Sequence, residues 1–177
     1  MKEASEKKII EGCLKGDRKA QKTLFDSLAP TMMSVCLRYV GDRDVAQDLL
    51  QEGFISLFSK LDSYTGEGSF EGWARKIFVN SALMHLRKKD ALKVTENIDD
   101  VPALASDLSS QTEDIGYKEL MELILTLPPG FRTVFNMFVL EGYTHKEIAE
   151  QLGITEVTSR TQLNRARAWL QNKIKER

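Results

Sequence analysis

An all-α fold of two helical domains is what this sequence predicts, on three observations. Apolar residues recur at helical spacing along nearly the whole chain. Alternating β-branched runs, the mark of a sheet, do not occur. A polar stretch, ALKVTENIDDVPALASDLSSQTEDI, interrupts the helical pattern and carries one basic residue against six acidic ones. Its Ser, Asp and Pro content reads as an extended, flexible acidic linker over 91–115, between helical domains at 1–90 and 116–177.

Each element follows from local signals. Ile9, Ile10, Cys13 and Leu14 make a short amphipathic stripe, and Asp17 is an N-cap candidate for a helix carrying Ala20, Leu24, Phe25 and Leu28. Pro30 suits the first turn of a third helix, which Gly41 ends. The next helix, about 42–61, sets Ala46, Leu50, Phe54, Leu57, Phe58 and Leu61 along a core face at 100° per residue. Val45 and Leu49 fall on another face, beside Asp44, Asp48, Gln51 and Glu52. That strip serves either a protein partner or a second packing contact.

After Tyr64 a glycine-interrupted loop, TGEGSF, precedes a helix over about 70–89. There Trp73, Ile77, Phe78 and Leu83 mix with Arg75, Lys76, Arg87, Lys88 and Lys89, with no acid between 75 and 89. Interleaved aromatic and cationic residues bind unstacked bases and their backbone. Core packing is the competing fate of Trp73 and Phe78.

The second domain has the sharper signature. LPPG breaks one helix and opens another through Val134, Phe135, Phe138 and Leu140. Thr144 with Glu147 three residues on is a capping box, Gly153 ends the short helix it starts, and Thr155 caps a longer one reaching about Lys173. A short helix, a glycine turn and an Arg-rich helix make a helix-turn-helix. Leu163, Ala166, Leu170 and Ile174 should face inward; Val157, Arg160, Thr161, Asn164 and Arg165 face out, with side chains suited to base edges and phosphates. His145, beside the capping threonine, reads as a surface residue.

Composition narrows the function. Of 177 residues 42% are hydrophobic and 29% charged, a globular balance, and 25 basic against 26 acidic residues leave a net charge of −1. Net charge therefore does not announce nucleic acid; the two local basic clusters, that of 75–89 and Arg160, Arg165, Arg167, Lys173 and Lys175, read either as phosphate-contacting faces or as solvated helix faces. Cys13 and Cys36, both in apolar stretches, are expected as reduced, buried thiols. The charged start MKEASEKKII and the lack of a long apolar run lead us to expect a cytoplasmic protein with no membrane insertion. His85 and His145 lie far apart, and phosphate-loop, HExxH and GxSxG motifs are missing, so no catalytic residue, metal ligand or cofactor is expected.

The chain resembles bacterial RNA polymerase sigma factors of the extracytoplasmic-function (ECF) group over nearly its whole length. DVAQDLLQEGFISLFSKL is similar to the group's polymerase-binding helix. GSFEGWARKIFVNSALMHLRKK is similar to its minus-10 element, and LPPGFRTVFNMFVLEGYTHKEIAEQLGITEVTSRTQLNRARAWL to its minus-35 reader.

The resemblance implies a role for each face. Asp48, Leu49, Gln51 and Glu52 would meet the clamp helices of core RNA polymerase. Phe70, Trp73, Arg75, Lys76 and Asn80 would capture melted minus-10 bases, with Arg87 and Lys88 on the backbone. Thr144 and Lys146 would hold phosphates of the duplex, while Val157, Arg160, Thr161, Asn164 and Arg165 enter the major groove at minus-35. The acidic linker would thread toward the polymerase cleft. An anti-sigma factor that covers these faces until released is the regulation the group implies. Met84 stands where many members carry Asp, Ser159 where Val is usual, and Val157 where a small residue is usual.

The implied function is a sigma factor that binds core polymerase, reads both promoter elements and promotes strand opening. The alternative is a free-standing helix-turn-helix repressor that binds duplex DNA unaided. The aromatic-basic helix separates the two, since a repressor has no need of a single-strand site. An enzymatic reading lacks any candidate nucleophile or acid-base pair.

Overall fold

The computed structural model describes residues 2–88 and 115–176. The predicted linker therefore lies, but for Ile115, outside the described residues. Eight α-helices form, and no strand occurs among the described residues. The chain divides into two units, Met1–Leu37 with Arg43–Ala82, and Arg38–Asp42 with Leu83–Arg177.

In the first unit, α1 (Lys2–Leu14) ends just before Gly16, whose φ of 79° is open to glycine without strain. Asp17 Oδ1 then accepts from the Lys19 amide at 2.8 Å, opening α2 (Arg18–Val40). Here the structure corrects the sequence reading: α2 runs through Pro30 as one helix of 23 residues, where a new helix was expected. Proline removes one backbone donor, but Met32, Val35, Cys36 and Tyr39 are at most 1% exposed. With Leu24 and Leu28 buried on the other side, burial holds both sides of Pro30 in one helix.

Helix α3 (Arg43–Ser59) buries Ala46, Leu49, Gly53, Phe54 and Leu57. A short 3-10 turn, Leu61–Ser63, leads through a loop to α4 (Phe70–Lys88). The Phe54 ring sits between Phe25, at 4.4 Å, and Phe78, which meets it edge-on at 5.2 Å. Phe78 comes from α4, so this aromatic cluster ties α2, α3 and α4 together. Of its two competing readings, base stacking and core, Phe78 takes the core, at 0% exposure.

The second unit contains α5 (Ile115–Leu125) and α6 (Pro129–Phe135), then a π-helical turn, Asn136–Leu140. Pro129 stands at the first turn of α6, where its missing N–H is not needed. Helices α7 (His145–Leu152) and α8 (Glu156–Lys175) follow. Met121, Ile124, Leu127, Val134, Met137, Ile148, Leu163 and Ala166 form the core. Trp169 of α8 donates through its indole to Thr126 Oγ1 at 3.3 Å, fixing α8 to the end of α5. Inside this core Arg132 donates to the Leu125 carbonyl at 3.3 Å, and burial pushes its guanidinium pKa down to about 10. Ile174 departs from the sequence reading: at 59% exposure it lies beyond the packed stretch of α8, while Leu163 and Ala166 are buried as expected.

Candidate nucleic-acid interface

The helix-turn-helix is built from local hydrogen bonds. The Glu147 amide donates to Thr144 Oγ1 at 3.2 Å and the Thr144 amide to Glu147 Oε2 at 2.8 Å, a closed capping box. Gly153, with φ 67° and ψ 33°, ends α7 in the left-handed conformation. Thr155 Oγ1 accepts from the Thr158 amide at 3.0 Å to start α8. These caps set the turn between α7 and α8, and so where α8 points.

Val157, Arg160, Thr161, Asn164 and Arg165 all lie exposed on the outer side of α8, Val157 at 69%. Arg160 pairs with Glu156 at 2.8 Å, an exposed pair that an incoming phosphate or base could replace at little cost. The Thr161 hydroxyl donates to the Val157 carbonyl at 2.9 Å, leaving its lone pairs and methyl outward. Lys146 is exposed at the start of α7. Thr144 is exposed as well, but its hydroxyl lies 2.7 Å from Glu147 Oε2, so its proton is engaged within the cap. Thr144 thus shapes the helix start rather than offering a free donor.

On α4, Trp73, Lys76, Asn80, Met84 and Arg87 fall within one stripe at 100° per residue. Trp73 is half-buried and the other four are exposed, Met84 at 56%, with Lys88 exposed nearby. Trp73 stacks on Phe70 at 5.5 Å and 28°, and Tyr64 packs against both rings at 5.4 and 5.1 Å. The Tyr64 hydroxyl donates to the Gly68 carbonyl at 2.9 Å, closing the loop beneath the pair. The Trp73 edge is therefore presented from a rigid aromatic base.

Two expected members of this site are placed differently. Phe70 is 2% exposed, so it supports Trp73 and cannot itself meet a base. It opens α4 and faces inward, with Trp73 stacked on it and Tyr64 meeting it edge to face. Arg75 lies about 200° round the helix from Trp73, half-buried and paired with Glu71 at 2.8 Å. It does not share the stripe.

The acidic strip on α3 is corrected in the same way. Leu49 is 2% exposed and belongs to the core, because its side of α3 faces the neighbouring helices. Asp48, Gln51 and Glu52 are exposed together, and the apolar residue on their face is Ile55, 71% exposed. Ile55 was missed from sequence, although it stands seven residues after Asp48, two helical turns on the same side. Tyr64 was likewise missed, its partners lying across a loop. Among the described residues no cluster of His, Cys, Asp or Glu could hold a metal ion, and no helix is long and apolar enough to cross a membrane. Cys13 and Cys36 are free and buried.

Residues 24–92 match the family model of Sigma-70 region 2, and residues 117–170 that of Sigma-70, region 4. The chain is 28% identical to the ECF RNA polymerase sigma-E factor of Haemophilus influenzae, over 94% of this chain and 93% of the relative. It is also 28% identical to the sigma-E factor of Escherichia coli strain K12, over 94% and 92%. Among solved structures, the Bartonella quintana sigma factor RpoE, crystallised with the anti-sigma factor NepR, shares the fold. Its TM-score is 0.57 at 19% identity, over 87% of this chain and 96% of that one. CnrH, solved in complex with the cytosolic domain of CnrY, aligns with a TM-score of 0.50 at 17% identity, covering 95% of this chain and 96% of that one.

Proposed function

Because the chain belongs to the sigma-70 family, in its extracytoplasmic-function group, we propose which of its residues carry out that group's work. The protein is a sigma factor. It binds core RNA polymerase, recognises the minus-35 and minus-10 elements of a promoter and promotes strand opening for initiation. It regulates transcription, and we assign it no reaction of its own.

The observation that carries the residue assignment is the outer face of α8, where exposed Val157, Arg160, Thr161, Asn164 and Arg165 project from a helix seated by two caps. In this reading Arg165 and Lys146 hold phosphates and Val157, Arg160, Thr161 and Asn164 meet base edges at minus-35. Thr144 aims α7 through its capping box.

Trp73, Lys76 and Asn80 form the minus-10 site, with Arg87 and Lys88 on the backbone. Melting is then driven by differential binding. Stacking on an exposed aromatic contributes roughly 1–3 kcal/mol per base and exists only for the open strand. It offsets an unpairing cost of a few kcal/mol per extruded base. Asp48, Gln51, Glu52 and Ile55 form the polymerase-facing surface of α3, an apolar anchor ringed by acceptors.

The assignment divides the chain into a region-2 domain over 1–90, an acidic linker over 91–115 and a region-4 domain over 116–177. Work on cellular DNA with polymerase supports a cytoplasmic location. An anti-sigma partner is part of the proposal, since RpoE and CnrH were each solved with a second protein bound. Such a partner would withhold the factor by covering the faces just named.

The test is multi-round transcription with core polymerase and a genomic fragment pool, with and without the protein, sequencing transcript starts. Starts that depend on the protein and share two upstream motifs are expected. No dependence, together with duplex binding by the chain alone, would favour a free-standing repressor.

A further inference from the structure

Of the three buried residues of α8, Ser159, Leu163 and Ala166, Ser159 is the polar one, and it is 0% exposed. A buried hydroxyl without a partner is destabilising. Its Oγ lies 2.9 Å from Nδ1 of His145, the first residue of α7. The His145 ring in turn stacks on Phe138 of the π-helical turn, with centroids 4.4 Å apart and planes at 22°. One imidazole therefore joins three elements: the turn after α6, the start of α7 and the first turn of α8. The π-helical turn that closes α6 supplies the ring on which His145 rests.

We propose that His145 and Ser159 are positioning residues for minus-35 reading, acting as a hydrogen-bonded pair that sets the seat of α8 against α7. Ser159 lies about 200° round the helix from both Val157 and Thr161, and about 100° from Arg160. Whatever fixes the depth of Ser159 fixes how far Val157, Arg160 and Thr161 reach into the groove. Base-edge hydrogen bonds need donor-acceptor distances within a few tenths of an ångström, so a small shift of the seat alters discrimination. Asn164 and Arg165 lie more than a helical turn farther along α8 from Ser159 and are less affected. A serine on the inward face is tolerable only if a partner meets its hydroxyl. His145, read from sequence as a surface residue, is that partner.

The proposal rests on the minus-35 reading of α8 given above. The experiment uses full-length chain with core polymerase, selecting from promoter fragments randomised at minus-35 and sequencing the bound fraction. Ser159→Ala, His145→Phe and the double variant are compared with wild type. Phenylalanine keeps a ring against Phe138 and deletes the nitrogen.

Each single variant should relax base preference roughly three- to tenfold at the positions under Val157, Arg160 and Thr161, the range expected for one hydrogen bond. The double variant should be no worse than the worse single, because one bond is lost in all three. Unchanged preference, a uniform fall in affinity across sequences, or multiplying effects would each overturn the proposal. A uniform fall would mark a merely structural contact. If His145→Phe fails to fold by circular dichroism, Ser159→Ala, which adds no volume, decides alone. A wild-type holoenzyme with no minus-35 preference would instead remove the reading on which the pair's role depends.

Discussion

Gly53 of α3 and Phe78 of α4 lie so close that a Cβ on Gly53 would sit 2.3 Å from two ring carbons of Phe78. Phe78 is fully buried and also packs edge-on against Phe54, so its ring has nowhere to retreat. Gly53→Ala should therefore destabilise the first unit by about 2 kcal/mol, although alanine is the better helix former. The midpoint of urea unfolding measures it, and a rise in the midpoint would contradict the packing described.

The two apolar residues of the α3 face part company on mutation. Ile55→Arg should leave helix content and unfolding midpoint unchanged while weakening holoenzyme assembly at least tenfold. Leu49→Ala should cost about 3 kcal/mol of stability through the cavity it leaves. Gel filtration with core polymerase and thermal melts distinguish them. Loss of fold in Ile55→Arg would remove the docking role.

Trp73→Ala should impair strand opening more than closed-complex binding, because stacking is gained only once bases leave the duplex. Permanganate reactivity of minus-10 thymines is expected to fall, with duplex footprints retained. Phe70→Ala should produce the same defect together with a loss of stability, since Phe70 is the buried support of the Trp73 ring. Normal melting by the Trp73 variant would show that bases are captured elsewhere.

Arg165→Ala should weaken promoter binding by similar factors across minus-35 sequences. The slope of log K against log salt should fall in magnitude by about 0.9, the loss of one phosphate contact. A titration at several salt concentrations is sufficient. A slope identical to wild type would assign Arg165 to a base.

Burial and the neighbouring Arg160 hold His145 below its ordinary pKa, with Arg167 adding to the effect and Glu156 opposing it. The unfolded chain thus takes up the proton more readily than the folded one. The contribution is fully present above the unfolded value of about 6.5 and declines as pH falls through it toward the folded value. The difference in melting temperature between wild type and His145→Phe should narrow over that fall. A difference that is flat from pH 8 to pH 5 would mean that His145 is not depressed.

The caps of the helix-turn-helix were legible in the chain because they are contacts between residues three apart. Thr144 with Glu147, Gly153 and Thr155 lie where local hydrogen bonding puts them. The outer face of α8 was legible for a related reason: helical periodicity sorts residues by angle, and one side was plainly polar. Periodicity does not say which side meets a neighbour. Leu49 and Ile55 sit on different faces of one helix, and only the packing of α3 decided that the first is buried and the second exposed. Phe70 and Trp73 are three residues apart on α4, and the Tyr64 loop decided which ring is enclosed. Pro30 is a local break signal that the burial of Met32, Val35 and Cys36 outweighs. His145 reaches Ser159 across the turn between α7 and α8, a meeting no spacing rule contains. The sequence alone determined that the chain is helical, where α7 and α8 are capped and which face of α8 is polar, because those depend on neighbours along the chain. The tertiary structure decided which apolar and aromatic side chains remain available to a partner, because burial depends on neighbours in space.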